Sequence, residues 1–181
     1  MNKKLDDSLS DVFVKPETGL YTELFLIEEL GLGKKAGNYL KAKYSPNERF
    51  KMMKREYNTA PENIVKPIAL KELDGEKVYI LEKITGNMFM DSLYKVRENK
   101  QLLYSIKQQL ESTVEKLHSN GYVHGDLMGA NNIMLTKDGK IKLIDSLYIP
   151  KNFEYKKAFI ELDNNAVKSV INTMYTKFIG R

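Results

Sequence analysis

No cysteine occurs in the 181 residues, which excludes disulfide staples, thiolate metal sites and thiol nucleophiles, and suits a reducing cytosol. No apolar run approaches the length of a membrane span, and residues 1–14 are too polar for a cleaved secretory signal. Membrane association is therefore not expected. The net charge of +5 is modest, and the lysines (Lys34, Lys35, Lys41, Lys43, Lys51, Lys54) are scattered without the interleaved aromatics of a nucleic-acid platform. Nucleic acid is therefore not an expected partner. Internal repeats and low-complexity linkers are also lacking. What is present is a hydrophobic fraction of 42%, enough to bury a core, in a chain long enough for one domain or two small lobes sharing a cleft.

The most informative stretch is 117–145, LHSNGYVHGDLMGANNIMLTKDGKIKLID. It holds a carboxylate at Asp126, amides at Asn131 and Asn132, and a second carboxylate at Asp145. Phosphoryl transfer uses these side-chain types. One carboxylate orients the accepting hydroxyl, while an amide and another carboxylate hold a divalent cation against the phosphates. His124-Gly125-Asp126 resembles the His-Arg-Asp of the protein-kinase superfamily, and Asp145 resembles the Asp of its Asp-Phe-Gly. The family's Asn usually follows the catalytic Asp by five residues, which points to Asn131. The usual thirteen-residue interval back from Asp145 points instead to Asn132. The run Asn132-Ile133-Met134-Leu135 fits the family's Asn followed by three apolar residues, so Asn132 is preferred, with one extra residue in the loop. Thr136 to Lys140 reads as a hairpin turn in which Asp138-Gly139 supplies positive φ.

The rest of the chain reads as an α+β protein in kinase order. The resemblance implies one minimal bilobal kinase domain over 1–181: a β-rich N-lobe at about 10–83, a hinge at about 82–87, and a reduced, mainly helical C-lobe at about 88–181. Alternation predicts strands over Asp11 to Lys15, Tyr21 to Ile27 and Tyr39 to Tyr44. Phe50, Met53 and Tyr57 predict a helix over Pro46 to Ala60. Pro67 to Leu73 and Lys77 to Lys83 form a hairpin about Asp74-Gly75. Leu81-Glu82-Lys83 resembles the hinge whose backbone meets adenine. Leu102, Leu103, Ile106, Leu110, Val114 and Leu117 predict a long helix over 100–118, and a further helix is expected over Asp163 to Phe178.

Two registers compete for the nucleotide-holding lysine. Gly31 to Gly37 looks like a phosphate loop and would assign Lys54, but only ten residues then separate Lys54 from Ile64, too few for a helix presenting the partner acid. The preferred register places the phosphate loop around Gly19 and assigns Lys41, with Glu56 as its partner. Their interval of fifteen is about one helical turn short of the family's, which preserves the face. Lys43 and Glu48 are the rivals. His124 reads as a residue packing the loop rather than a base. Asp163 resembles the family's Asp that hydrogen-bonds the catalytic-loop backbone, or else serves as an N-cap.

After Asp145 the pattern departs from the family. Asp145-Ser146-Leu147 lacks Phe and Gly, no Ala-Pro-Glu follows, and His-Gly-Asp lacks the Arg that reads a phosphorylated activation loop. A short C-lobe is expected to leave the apolar faces of 100–118 and 163–178 poorly covered and open to a partner. This truncation resembles minimal bacterial effector kinases, both the type III secreted kinases of the Shigella type, which bind ubiquitin-conjugate complexes, and a plant-pathogen family that phosphorylates a host chaperone. Gly19-Leu20-Tyr21-Thr22-Glu23-Leu24-Phe25 resembles the Gly-x-x-x-Glu-Ile-Phe of the former. The resemblance implies ATP and Mg²⁺ as cofactors, bound by Gly19, Lys41, Glu56, Glu82, Asn132 and Asp145, with Asn132 and Asp145 holding the metal. Asp126 and Lys41 would serve catalysis. It implies a monomeric Ser/Thr protein kinase acting on a host protein, a chaperone or ubiquitin-conjugate machinery, after non-Sec secretion into the host cytosol. The alternatives are a bacterial cytoplasmic location, a small-molecule (aminoglycoside- or sugar-type) kinase, or a nucleotide-binding docking module.

Overall fold

A computed structural model describes residues 12–16, 45–73, 75–147, 151 and 156–176. Among these the protein is α+β, with two three-stranded sheets. Its contacts divide the chain into two compact units, Met1–Lys54 with Lys66–Lys83, and Arg55–Val65 with Ile84–Arg181.

In the first unit β1 (Val12–Pro16), β2 (Pro67–Leu73) and β3 (Glu76–Glu82) form an antiparallel sheet in the order β1-β3-β2. Val14 pairs with Ile80, and Leu70 with Tyr79. The unbroken run Val78-Tyr79-Ile80-Leu81 is buried along its whole length, as a central strand covered on both faces must be. Helix α1 (Pro46–Thr59) begins in this unit. Its start follows from chemistry: Pro46 needs no N–H at the first helical position, and Ser45 and Glu48 form a capping box. Glu48 N donates to Ser45 Oγ at 3.3 Å, while Ser45 N and Oγ donate to Glu48 Oε2 at 3.1 and 2.9 Å.

The second unit takes the end of α1 and residues 60–65, then β4 (Gly86–Met88), α2 (Phe89–Val96), α3 (Lys100–Ser119), a 3-10 turn (Met128–Ala130), β5 (Ile133–Thr136), β6 (Ile141–Leu143) and α4 (Lys156–Met174). Strands β4, β5 and β6 are antiparallel in that order. The β5–β6 turn has Gly139 at φ 80°, as the Asp-Gly pair requires. Asn99 Oδ1 caps α3 by accepting from Leu102 N at 2.9 Å. The far end closes with Tyr122 N on Leu117 O (2.8 Å) and Gly121 N on His118 O (2.9 Å), with Gly121 at φ 79°. This pairing marks a left-handed glycine stop and delivers the chain to residue 122 in a fixed direction.

The core joins Phe89 and Leu93 of α2, Leu103, Ile106, Leu110 and Leu117 of α3, Ile133 and Ile141 of the sheet, and Val170 and Met174 of α4. Removing a large apolar side chain of this kind from water stabilises by about 1.5–3 kcal/mol. The linker after α1 is tied in by polar contacts. Asn63 Nδ2 donates to Gln109 Oε1 and to Ile141 O, both at 3.2 Å, and Gln109 Nε2 reaches Gly139 O at 3.0 Å. Ile64 also bridges Leu143 in parallel.

Two expectations are corrected. Among the described residues the apolar faces of the long helices are not left open: Leu103, Ile106, Leu110, Val114, Leu117, Ala166, Val167, Val170 and Met174 are all buried, because α3 and α4 pack on each other, α3 on β6 and α4 on the 3-10 turn. The final helix also begins earlier than sequence suggests, at Lys156, so Asp163 lies in its interior and cannot be an N-cap. Strands predicted over Tyr21 to Ile27 and Tyr39 to Tyr44 lie outside the described residues.

Candidate active site

Residues 122–126 leave α3 and turn under α4. Asp163, with no exposed surface, holds that turn. Its Oδ2 accepts from His124 N and its Oδ1 from Gly125 N, each at 2.8 Å, and His118 Nε2 lies 3.1 Å from Oδ2. Gly125 has φ 81°, a left-handed conformation that the arginine found here in the kinase pattern would adopt only with strain. The glycine of His-Gly-Asp adopts this conformation without that strain.

His124 is buried, and burial, the largest influence on it, lowers its pKa despite neighbouring Asp163 and Asp126. Its Nε2 lies 2.9 Å from Ile144 O, and its Nδ1 accepts from Asp126 N at 3.3 Å. A neutral ring protonated on Nε2 satisfies both contacts. With both nitrogens occupied, the ring braces the turn against the segment after β6.

Asp126 is half-buried, and its carboxylate is held from one side. Asn132 Nδ2 donates to Asp126 Oδ2 and to Asp126 O, both at 2.8 Å. Gly129 (φ 70°) and Ala130 (φ 59°) are left-handed in succession. That tight turn absorbs one more residue than the five-residue family interval and leaves Asn131 exposed. Asn132 O also accepts from Ile144 N at 2.9 Å, which fixes the approach to Asp145. Asp145 has φ 57°, an uncommon conformation for a residue with Cβ, though aspartate tolerates it best. Leu147 N on His124 O at 2.9 Å clamps the chain beyond it. Asp126, Asn132 and Asp145 thus belong to one loop cluster of the second unit. Among the described residues no three His, Cys, Asp or Glu side chains converge on a metal position. An amide oxygen and a carboxylate fit Mg²⁺, which keeps several waters and takes phosphate oxygens for the rest. Asn132 spends its amide nitrogen on Asp126, so its Oδ1 remains for such a role.

Glu56 is buried on the inner face of α1, and its carboxyl is pushed up to about 8, chiefly by burial, with the Asp163 charge adding to this and the Ser146 hydrogen bond opposing it. Ser146 Oγ donates to Glu56 Oε1 at 3.1 Å. The folded protein therefore keeps this proton over a pH range where the unfolded chain, near 4.5, has released it. Stability is unpenalised below about 4.5, falls as pH rises from there, and levels off above about 8. Full linkage amounts to about 3–5 kcal/mol. Urea unfolding between pH 5 and 9 is expected to show this loss in the parental chain and a flatter profile in Glu56→Gln. Equal pH dependence in both would contradict it.

Lys41, Lys43 and Gly19 lie outside the described residues. Lys54 is exposed on α1, its Nζ 4.6 Å from the Phe50 ring centroid, so Met52-Met53-Lys54 is helical rather than the strand its register needs. Glu48 is exposed and committed to the capping box, and its hydrogen bonds with Ser45 lower its pKa. Glu82 closes β3: its N donates to Lys66 O at 2.9 Å and its Oε1 accepts from Lys66 N at 2.8 Å. Ser146 stands in sequence only where the kinase pattern has Phe, and its hydroxyl contacts to Glu56 and His124 carry no sequence signal.

No protein-family model matches the chain. It is 31% identical over 88 residues to the chloroplastic serine/threonine-protein kinase STN8 of Arabidopsis thaliana, covering 46% of this chain and 18% of that protein. It is 33% identical over 84 residues to a probable serine/threonine-protein kinase of Dictyostelium discoideum, covering 46% of this chain and 17% of that protein. The aligned stretch thus spans less than a fifth of either relative. Over just under half its length, this α+β chain is similar to serine/threonine protein kinases.

Proposed function

We propose that the protein is an ATP-dependent phosphotransferase, with a serine or threonine hydroxyl of a protein as acceptor. The observation that supports this most is the Asp126–Asn132 pair, locked in a loop braced by Asp163 and His124, with Asp145 clamped beside it. In this reading the Asp126 carboxylate accepts the hydrogen bond of the incoming hydroxyl and takes its proton as the oxygen attacks the γ-phosphorus. Asn132 holds that carboxylate through its amide nitrogen. Asn132 Oδ1 and Asp145 would hold Mg²⁺, which when bound neutralises charge on the phosphates. Lys41, partnered by Glu56, would pair with the α- and β-phosphates; Gly19 would lie in the phosphate loop, and Glu82 would contribute hinge backbone.

The host-protein acceptor, delivery to a host cytosol and a monomeric state belong to the resemblance to minimal effector kinases, which the segment 19–25 and the departure from the family pattern after Asp145 support. A sugar- or aminoglycoside-type acceptor is the second reading, favoured by His-Gly-Asp itself. Incubation with γ-labelled ATP and Mg²⁺ in the presence of cell lysate, and separately with a panel of aminoglycosides and sugars, separates them. Label in protein is expected. Label only in a small molecule replaces the first reading with the second, and label in neither removes both.

The same assay decides the lysine. Lys41→Met is expected to reduce transfer by about a hundredfold or more, and Lys54→Met to behave like a surface change. The reverse order would overturn the register.

A further inference from the structure

Ser146 is buried where the kinase pattern carries a phenylalanine. Its Oγ lies 3.1 Å from Glu56 Oε1 and 3.4 Å from His124 O. A hydroxyl has one proton to donate and two lone pairs to accept with, so it cannot serve both oxygens as donor at once. Which it serves depends on Glu56. When the Glu56 carboxyl carries its proton on Oε1, that proton can be donated to Ser146 Oγ, and Ser146 can donate onward to His124 O. When Glu56 is ionised, Ser146 turns to donate to the carboxylate, and among the described residues His124 O is left to Leu147 N, at 2.9 Å.

We propose that Ser146 is a positioning residue: its hydroxyl couples the protonation state of Glu56 to the backbone of the loop carrying Asp126 and to the seating of Asp145. The geometry makes the coupling short. Ser146 is bonded covalently to Asp145, and His124 O belongs to the residue whose N is held by Asp163 and whose ring is bound to Ile144 O and Asp126 N. Every link lies within one compact unit. Among the described residues the titratable groups about the relay are few, and the phosphotransferase reading adds Lys41 as a partner of the ionised Glu56. Asp163 of α4 opposes ionisation of Glu56, and His124 is neutral by burial, with Asp126 and Asp145 acting on its ring. A phenylalanine at 146 could contact Glu56 but could not transmit its charge state.

The consequence for transfer rests on the phosphotransferase reading, whereas the relay itself does not. The full chain, labelled with ¹³C on glutamate carboxyls and ¹⁵N on amides, is titrated by NMR as parental protein, Ser146→Ala, Ser146→Thr and Glu56→Gln. In the parental protein the Leu147 amide is expected to move with the same midpoint as the Glu56 carboxyl. In Ser146→Ala the Glu56 midpoint rises, because a hydrogen bond favouring the carboxylate is lost, and the Leu147 response disappears. Ser146→Thr, which keeps the hydroxyl, restores it, and Glu56→Gln abolishes it. The limb of the transfer pH profile that follows Glu56 moves up in pH in Ser146→Ala and returns in Ser146→Thr. A Leu147 titration of unchanged amplitude in Ser146→Ala overturns the relay whatever the activity. If Ser146→Ala does not fold, a Leu147 titration that persists in Glu56→Gln overturns it instead. Absence of transfer in the parental protein with the NMR coupling intact removes the phosphotransferase reading and leaves the relay standing.

Discussion

Asp126→Ala is expected to reduce phosphoryl transfer by about a hundred- to ten-thousandfold while nucleotide binding persists. The range is what a positioned general base contributes, and the binding should survive because Asp126 is not among the groups assigned to the phosphates. Asp145→Ala should fail at the other step, losing Mg²⁺-dependent nucleotide binding together with transfer. The pair is informative because both residues belong to the same loop cluster, so a nonspecific collapse would affect them alike. The Asn132 amide bonds only the backbone carbonyl once the Asp126 carboxylate is gone, so the loop should keep its fold. Equilibrium binding of a fluorescent ATP analogue with and without Mg²⁺, alongside initial rates, separates the two. Parental transfer in Asp126→Ala sinks the assignment of the base. Mg²⁺-dependent binding unchanged in Asp145→Ala sinks that of the metal ligand.

Sequence carried much of this arrangement where a local rule left few alternatives. The 3.6-residue spacing of Phe50, Met53 and Tyr57, and of the leucines between 102 and 117, is a pattern only a helix satisfies, and α1 and α3 follow it within one residue. The apolar run after Asn132 and the Asp-Gly pair define β5, its turn and β6. What escaped was short or tertiary. β4 has three residues and α2 eight, too little periodicity to stand above loop composition. The capping box at Ser45 and the glycine stop at Gly121 follow from residue types alone. The burial of Glu56 against Ser146 and the interior placement of Asp163 required the packing of distant segments. No local rule brings residue 56 to residue 146, or 163 to 124.

Asp163→Ala should cost about 3–5 kcal/mol of stability. The carboxylate has no exposed surface and accepts two backbone N–H groups at 2.8 Å. Its removal leaves His124 N and Gly125 N buried without acceptors, which costs more than the bonds themselves contribute. It also strips His118 Nε2 of its partner and opens a cavity under α4. An aspartate that merely capped a helix would cost about 1 kcal/mol and leave the loop undisturbed. Asp163→Asn should fall between, since its amide oxygen can still accept from one of the two N–H groups while its NH₂ opposes the other. His118→Ala, which leaves both backbone bonds in place, should cost about 1 kcal/mol, and a double-mutant cycle with Asp163→Asn should show coupling of the kind expected within one network. Urea unfolding gives the stabilities, and hydrogen exchange at the His124 and Gly125 amides shows where the structure opens. Fast exchange confined to those two amides in Asp163→Asn, with transfer falling in step, identifies Asp163 as the anchor of the loop that carries Asp126. Unchanged exchange there, with a loss near 1 kcal/mol, would reduce it to an ordinary helix residue.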